Sequence, residues 1–314
     1  MISSEAIEKA IAIGHSKAQQ VIKFRDRELQ RRAKAILEAA EPSLRVNAFE
    51  LTEEAARSLG PQARNVLIAE GDSWFDYPFH DVLRILEDHH GYDVESVAHK
   101  GDRVEEMAYA DGQLEEFTRL VEKILRRNSV PRAILLSGGG NDLAGKEFGM
   151  LLNHFASAIA GLNDSIVEGA INERAKMAYI TIISKITSVC QQRIGQSLPI
   201  MIHGYDYPVP DGRGFLGGWW LLPGPWLEPG FREKGYAQLQ DRIDLAKDLI
   251  DRFNEMLKDV ASLPNFNHVR YIDLRGILSV SGNYKVDWEN ELHPTENGFE
   301  KVTAQFAQTI ASLP

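Results

Sequence analysis

With a single cysteine, Cys190, the chain can form no internal disulfide. That residue lies in a helical stretch and reads as a small buried side chain. No apolar run is long enough for a bilayer. The most apolar stretch, Gly214 to Leu227, is short and is interrupted by Pro223 and Pro225. Positive charge is also scarce, with 35 Lys and Arg against 45 Asp and Glu, a formal charge of -10. Phosphate backbones and anionic membranes would be repelled on average, so neither is an expected partner. The start, Met1 to Lys9, lacks the apolar core of a secretory signal, and a cytoplasmic protein is expected. No histidine and carboxylate cluster has metal-ligand spacing, so neither metal nor cofactor is expected. Hydrophobic residues make up 44% and charged residues 25%, enough for a sizeable core.

Residues 1 to about 60 read as a helical extension. Ile7, Ile11, Ala18, Ile22, Leu29, Ala33, Ile36 and Leu37 recur at near-helical spacing, and Pro42 ends the long segment. The extension is expected to pack on the body or to join a second copy in a homo-oligomer. From Asn65 the pattern changes to short apolar runs at 65–70, 93–98, 133–137, 199–203 and 269–274. Helical stretches separate them at 81–90, 104–127, 148–195 with a break, and 236–263, and a last helix covers 296–313. This alternation predicts a parallel sheet covered on both faces, in one domain from residue 64 onward. Residues 204–235 stand apart: Pro208, Pro210, Pro223, Pro225 and Pro229 exclude regular structure, while Trp219, Trp220 and Trp226 supply large apolar area. The segment follows a strand end, where parallel sheets bind ligands, and is expected to line the substrate site. The alternative is an ordered loop whose tryptophans fill the core or a subunit contact.

Four short segments carry the chemistry. Gly71-Asp72-Ser73-Trp74 follows the first strand and places a serine hydroxyl at the sheet edge. Lys100-Gly101-Asp102 follows the second, where Gly101 can present its N–H to a developing negative charge. Ser137-Gly138-Gly139-Gly140-Asn141-Asp142 follows the third. The Asn141 amide, with the N–H groups of Ser73 and Gly101, completes a three-donor oxyanion hole. His293, in the late loop Asp287 to Thr295, is placed to act as the base a serine needs. Two other patterns are coincidences. Gly140 to Glu147 ends in a glutamate where a phosphate loop needs Ser or Thr, and Gly212 to Gly217 runs into tryptophans and prolines instead of a helix.

The ordered set Gly71-Asp72-Ser73, Gly101, Gly139-Gly140-Asn141-Asp142 and His293-Pro294 resembles the SGNH (GDSL-type) hydrolase family of esterases and lipases. The resemblance spans Asn65 to Pro314. It implies a three-layer α/β/α sandwich with a flavodoxin-like parallel sheet, and Ser73, Gly101, Asn141 and His293 as signature residues. Trp74 stands where the nickname motif has leucine and is expected to border the substrate with the insertion tryptophans. The aspartate usual three residues before the histidine is Asn290 here. Asn290 or Asp287 is expected to orient His293, with Glu289 and Glu291 as further carboxylates in reach and a Ser73–His293 dyad as the alternative. The expected activity is hydrolysis of a small-molecule carboxylic ester through an acyl-enzyme. A carbohydrate deacetylase or thioesterase would use the same site, and a non-catalytic scaffold would share only the fold.

Overall fold

The computed structural model describes residues 4–39, 66–110, 112–127, 129–217 and 222–313. Pro42 and the continuation of the first helix toward residue 60 lie outside the described residues, as do Trp219 and Trp220. The five apolar runs form one parallel sheet: β1 (Val66–Glu70), β2 (Asp93–Ser96), β3 (Ala133–Leu136), β4 (Ile200–His203) and β5 (Val269–Ile272). Their order is β2-β1-β3-β4-β5, every neighbour parallel. The inner strands β3 and β4 are buried throughout and β1 nearly so, while the edge strands β2 and β5 are mixed. A sheet covered on both faces requires this pattern.

The covering helices are α1 (Ser4–Ala39), α2 (Val82–His90), α3 (Val104–Tyr109), α4 (Gln113–Leu125), α5 (Lys176–Ile194), α6 (Leu239–Ala261) and α7 (Glu296–Ala311). Helices α2 and α7 pack together on one face; α3, α4 and α6 surround α5 on the other. The architecture is a three-layer α/β/α sandwich. Helix α1 lies across α5, which is therefore buried on all sides from Ala178 to Cys190. The close approach depends on small residues: Ala10, Gly14 and Ala18 turn inward, and a Cβ on Gly14 would sit 2.8 Å from the Ser184 Cβ. Lys185, wholly buried within α5, is paired with Glu115 at 3.0 Å.

Two helical stretches depart from the sequence reading. The 104–127 segment is two helices, because Ala110 is extended and Gly112 sits at φ 107°. Residues 148–175 hold a 3-10 turn, a two-stranded ribbon pairing Leu152–Asn153 with Gly161–Leu162, a short helix Asp164–Glu168 and a π-helical turn Gly169–Ala175. Asn163 starts the short helix by accepting the Ile166 N–H.

The strand order sets where a site can form. The chain steps from β1 to β2 on one side, then crosses to β3 on the other. Loops leaving the carboxyl ends of β1 and β3 therefore diverge, and a crevice opens between them. The Ser73 turn follows β1 and the Asn141 turn follows β3.

Candidate active site

Ser73 sits in a turn stitched to its neighbours by Asp72. That carboxylate is 1% exposed and accepts the Trp74 N–H at 3.0 Å, the Ser137 hydroxyl at 2.8 Å and the Tyr205 hydroxyl. It thereby joins the ends of β1, β3 and β4. Gly71 is required because Ser137 approaches so closely: a Cβ there would stand 2.6 Å from the Ser137 Cβ. Beneath the turn, burial and the nearby Asp102 push the Glu70 carboxyl up to about 9, so it is neutral at pH 7.

The loops after β2 and β3 are tied to each other. Asn141 donates its amide to the Asp102 carbonyl at 3.0 Å. Asp142 accepts the Val104 and Glu105 N–H groups at 2.8 and 3.3 Å, which caps α3 from outside its own chain segment. Burial pushes the Asp142 carboxyl up to about 6. Gly139 turns the chain at φ 96°, with Phe253 filling the space a side chain would need. Among the described residues, no acceptor engages the backbone N–H of Ser73 or Gly101.

The His293 loop brings an imidazole to the serine. His293 Nε2 lies 2.8 Å from Ser73 Oγ, and Nδ1 lies 3.0 Å from Asn290 Oδ1. The same Oδ1 accepts the backbone N–H groups of Leu292 and His293, each at 3.0 Å, which identifies it as oxygen. An oxygen that only accepts forces the proton of neutral His293 onto Nδ1, leaving Nε2 free to accept from Ser73. The Asn290 amide nitrogen donates onward to Tyr77 Oη at 2.9 Å. The Tyr77 ring stacks on the imidazole, 4.2 Å between centroids and 17° between planes, and Trp226 stands edge-on at 5.4 Å. His293 is 6% exposed, and burial alone lowers its pKa from 6.5 to about 3.

The carboxylates near His293 point elsewhere. Asp287 accepts from Lys301 at 2.6 Å, from Ser279 N–H and from Asn297. Burial raises its pKa, but Lys301 and the Ser279 N–H hold it below the usual carboxylate range. Glu289 faces the Tyr77 hydroxyl. Glu291, 0% exposed, accepts four backbone N–H groups, from Gly212, Trp226, Leu227 and Glu228, at 2.7 to 3.1 Å. Arg213 answers by donating to the Trp288 and Glu289 carbonyls at 2.9 and 2.8 Å. Residues 212–213 and 226–228 thus act as a strap across the histidine loop.

Ser73, Asn141 and His293 border one recess of about 60 Å³. Trp74 borders it too, yet is 3% exposed, and its indole N–H holds the Leu292 carbonyl at 3.1 Å. Gly101, at φ 93°, does not border the recess and belongs to the loop whose Asp102 carbonyl accepts from Asn141. Trp226 touches the site through the His293 ring. Sequence reasoning missed Tyr77 and the strap residue Arg213, and it placed Glu291 as a possible partner of His293 where the structure makes it the acceptor for the strap. Tyr77 lies one turn past Ser73 and could have been suspected, but nothing local marks Glu291. Among the described residues, no helix is long and apolar enough to cross a membrane.

No protein-family model and no curated protein matches the sequence. Among solved structures the chain is similar to a protein from Slackia heliotrinireducens proposed to be an SGNH hydrolase, with TM-score 0.45 and 12% identity over 78% of this chain and 98% of that one. It is similar to a carbohydrate acetylesterase from Sinorhizobium meliloti, with TM-score 0.44 and 11% identity over 80% and 100%. A family 3 carbohydrate esterase from Clostridium thermocellum follows, with TM-score 0.41 and 14% identity over 77% and 93%.

Proposed function

We infer that the chain is a serine hydrolase that cleaves a carboxylic ester through an acyl-enzyme. The reading rests on one observation above all, the hydrogen-bonded line Ser73 Oγ–His293–Asn290 Oδ1, with the imidazole tautomer set by backbone donors. Ser73 Oγ attacks the ester carbonyl and its proton passes to His293 Nε2. The carbonyl oxygen takes the negative charge, held by the Asn141 amide and the free N–H groups of Ser73 and Gly101. The intermediate collapses as His293 returns the proton to the leaving alkoxide. Water then repeats the sequence: its proton goes to His293, its oxygen attacks the acyl carbon, and Ser73 leaves with the proton restored.

Asn290 carries no charge, so the imidazolium formed in each step needs other support. The Asn290 carbonyl offers a dipole to Nδ1–H. The Tyr77 face, 4.2 Å away, offers the negative side of its quadrupole to the cation. Ser73→Ala should lower turnover of p-nitrophenyl acetate by at least roughly 1,000-fold while the protein remains folded, as loss of a nucleophile does. Retention of most activity by that variant overturns the mechanism.

A further inference from the structure

We propose that a second cavity, which shares Asn141 with the Ser73 recess, receives an acyl chain ending in a carboxylate, and that Arg103 binds that carboxylate. The proposal rests on the ester-hydrolase reading and deepens it by naming the acyl class. The cavity holds about 280 Å³ and borders the recess along Asn141, Leu143, Ala144 and Phe148. Met150 and Ile166 continue its apolar wall. Arg103, half-buried and immediately before α3, also lines it. Among the described residues it is the one half-buried arginine with neither a hydrogen bond nor an ion pair. The other charged groups of the lining are engaged or stand at the rim. Arg174 is bound to Glu105. Asp142 gives both carboxylate oxygens to the Val104 and Glu105 N–H groups. Glu147 is exposed, where water and salt screen its charge.

A half-buried guanidinium has given up part of its water, and its planar fork of donors matches a carboxylate in two parallel hydrogen bonds. A hydrogen bond to a charged group corresponds to roughly 10- to 150-fold in an equilibrium constant, and the partial exposure of Arg103 favours the lower end. The acyl side is the side that fits. In the proposed reaction Asn141 holds the carbonyl oxygen, so the reacting carbon sits where recess and cavity meet. His293 must stand beside the leaving oxygen to protonate it, and His293 borders the recess but not the cavity. The alcohol therefore departs on the His293 side, while the acyl chain passes Asn141 along the apolar wall toward Arg103.

The test is kcat/KM for the p-nitrophenyl monoester of adipic acid against p-nitrophenyl hexanoate, in wild type, Arg103→Gln and Arg103→Glu. The Arg103 side chain makes no capping hydrogen bond to α3, so neither variant removes a contact that holds the helix. Wild type should prefer the anionic ester by roughly tenfold, the low end of the charged hydrogen bond, and added salt should shrink that preference. Arg103→Gln should abolish the preference, and Arg103→Glu should turn it toward hexanoate. Moving the charge to the alcohol, with 4-acetoxybenzoate against phenyl acetate, should give a ratio that does not depend on Arg103. An adipate-to-hexanoate ratio unchanged by Arg103→Gln, a wild-type preference for hexanoate, or an Arg103-dependent preference for 4-acetoxybenzoate overturns the acyl site. A fluorophosphonate adduct on Ser73, measured in parallel, leaves the hydrolase reading standing in each of those cases. Absence of any adduct overturns both.

Discussion

Two segments lie outside the run of motifs, the N-terminal helix α1 and the proline-rich segment 204–235 that contains the strap residues, and their described parts are used in opposite ways. Helix α1 lies on the outer side of α5. Its inward residues Ala10, Gly14 and Ala18 are buried against α5, and Lys17 donates to the Ala108 carbonyl of α3 at 3.1 Å. The strap instead grips the loop that carries His293, through Glu291 in one direction and Arg213 in the other. Composition alone ranks both as additions. What distinguishes them is the element each touches: α1 covers α5, whereas the strap holds the loop that carries His293. Disturbing α1 should cost stability, and disturbing the strap should cost turnover.

Glu291→Gln breaks the strap at its centre. One acceptor oxygen becomes an amide NH2 facing backbone donors, so two backbone N–H groups lose their acceptor. A histidine displaced by about 1 Å can lose roughly 100-fold in rate, and a fall in kcat of that order is expected, with a smaller change in KM. A variant that melts earlier but turns over normally would make the strap no different from α1.

Asn290→Asp sharpens the comparison within the strapped loop. In wild type the buried imidazole is held neutral, its pKa lowered to about 3, so the acid limb of kcat/KM lies far below the ordinary 6.5. A carboxylate at position 290 favours the imidazolium, raises that pKa and moves the limb upward. The same burial has a stability consequence of opposite appearance. Between pH 6.5 and 3 the unfolded chain binds a proton on His293 that the folded chain refuses. The His293 contribution to stability is complete above about 6.5 and is lost as pH falls toward 3. A rate profile measured from pH 4 to 9 that is identical in the two proteins contradicts this account of the base.

Gly14→Leu carries the smallest expected effect on rate. The side chain has no room against Ser184 and Thr181. Overpacking of this kind costs ~1–3 kcal/mol in denaturant unfolding, with kcat per folded molecule unchanged. A loss of turnover at full folding would mean that α1 supports the site after all.

Much of this division was hidden in the sequence, and the reason is physical. The five strands were legible because a sheet buried on both faces leaves continuous apolar runs such as Val66-Leu67-Ile68-Ala69. Ser73, Asn141 and His293 were legible because each sits at a strand end or ahead of a helix, with glycines marking the turns. Asn290 could be named only with Asp287 beside it, since spacing does not say that Lys301 occupies the aspartate. The role of Glu291 was out of reach. Its four partners are backbone N–H groups, which every residue has, and they lie some sixty to eighty positions away. The break at 110–112 was missed for a similar reason: the apolar spacing continues across it while Gly112 turns the backbone.

The claim beneath all of this is that Ser73 is activated by a neutral His293 oriented by Asn290. Its most direct test is fluorophosphonate labelling of the intact protein, read by peptide mapping in wild type, His293→Ala and Gly14→Leu. The account predicts one adduct, on Ser73, abolished in His293→Ala and formed at the wild-type rate in folded Gly14→Leu. An adduct on another serine, or one on Ser73 that forms equally fast without His293, would contradict it.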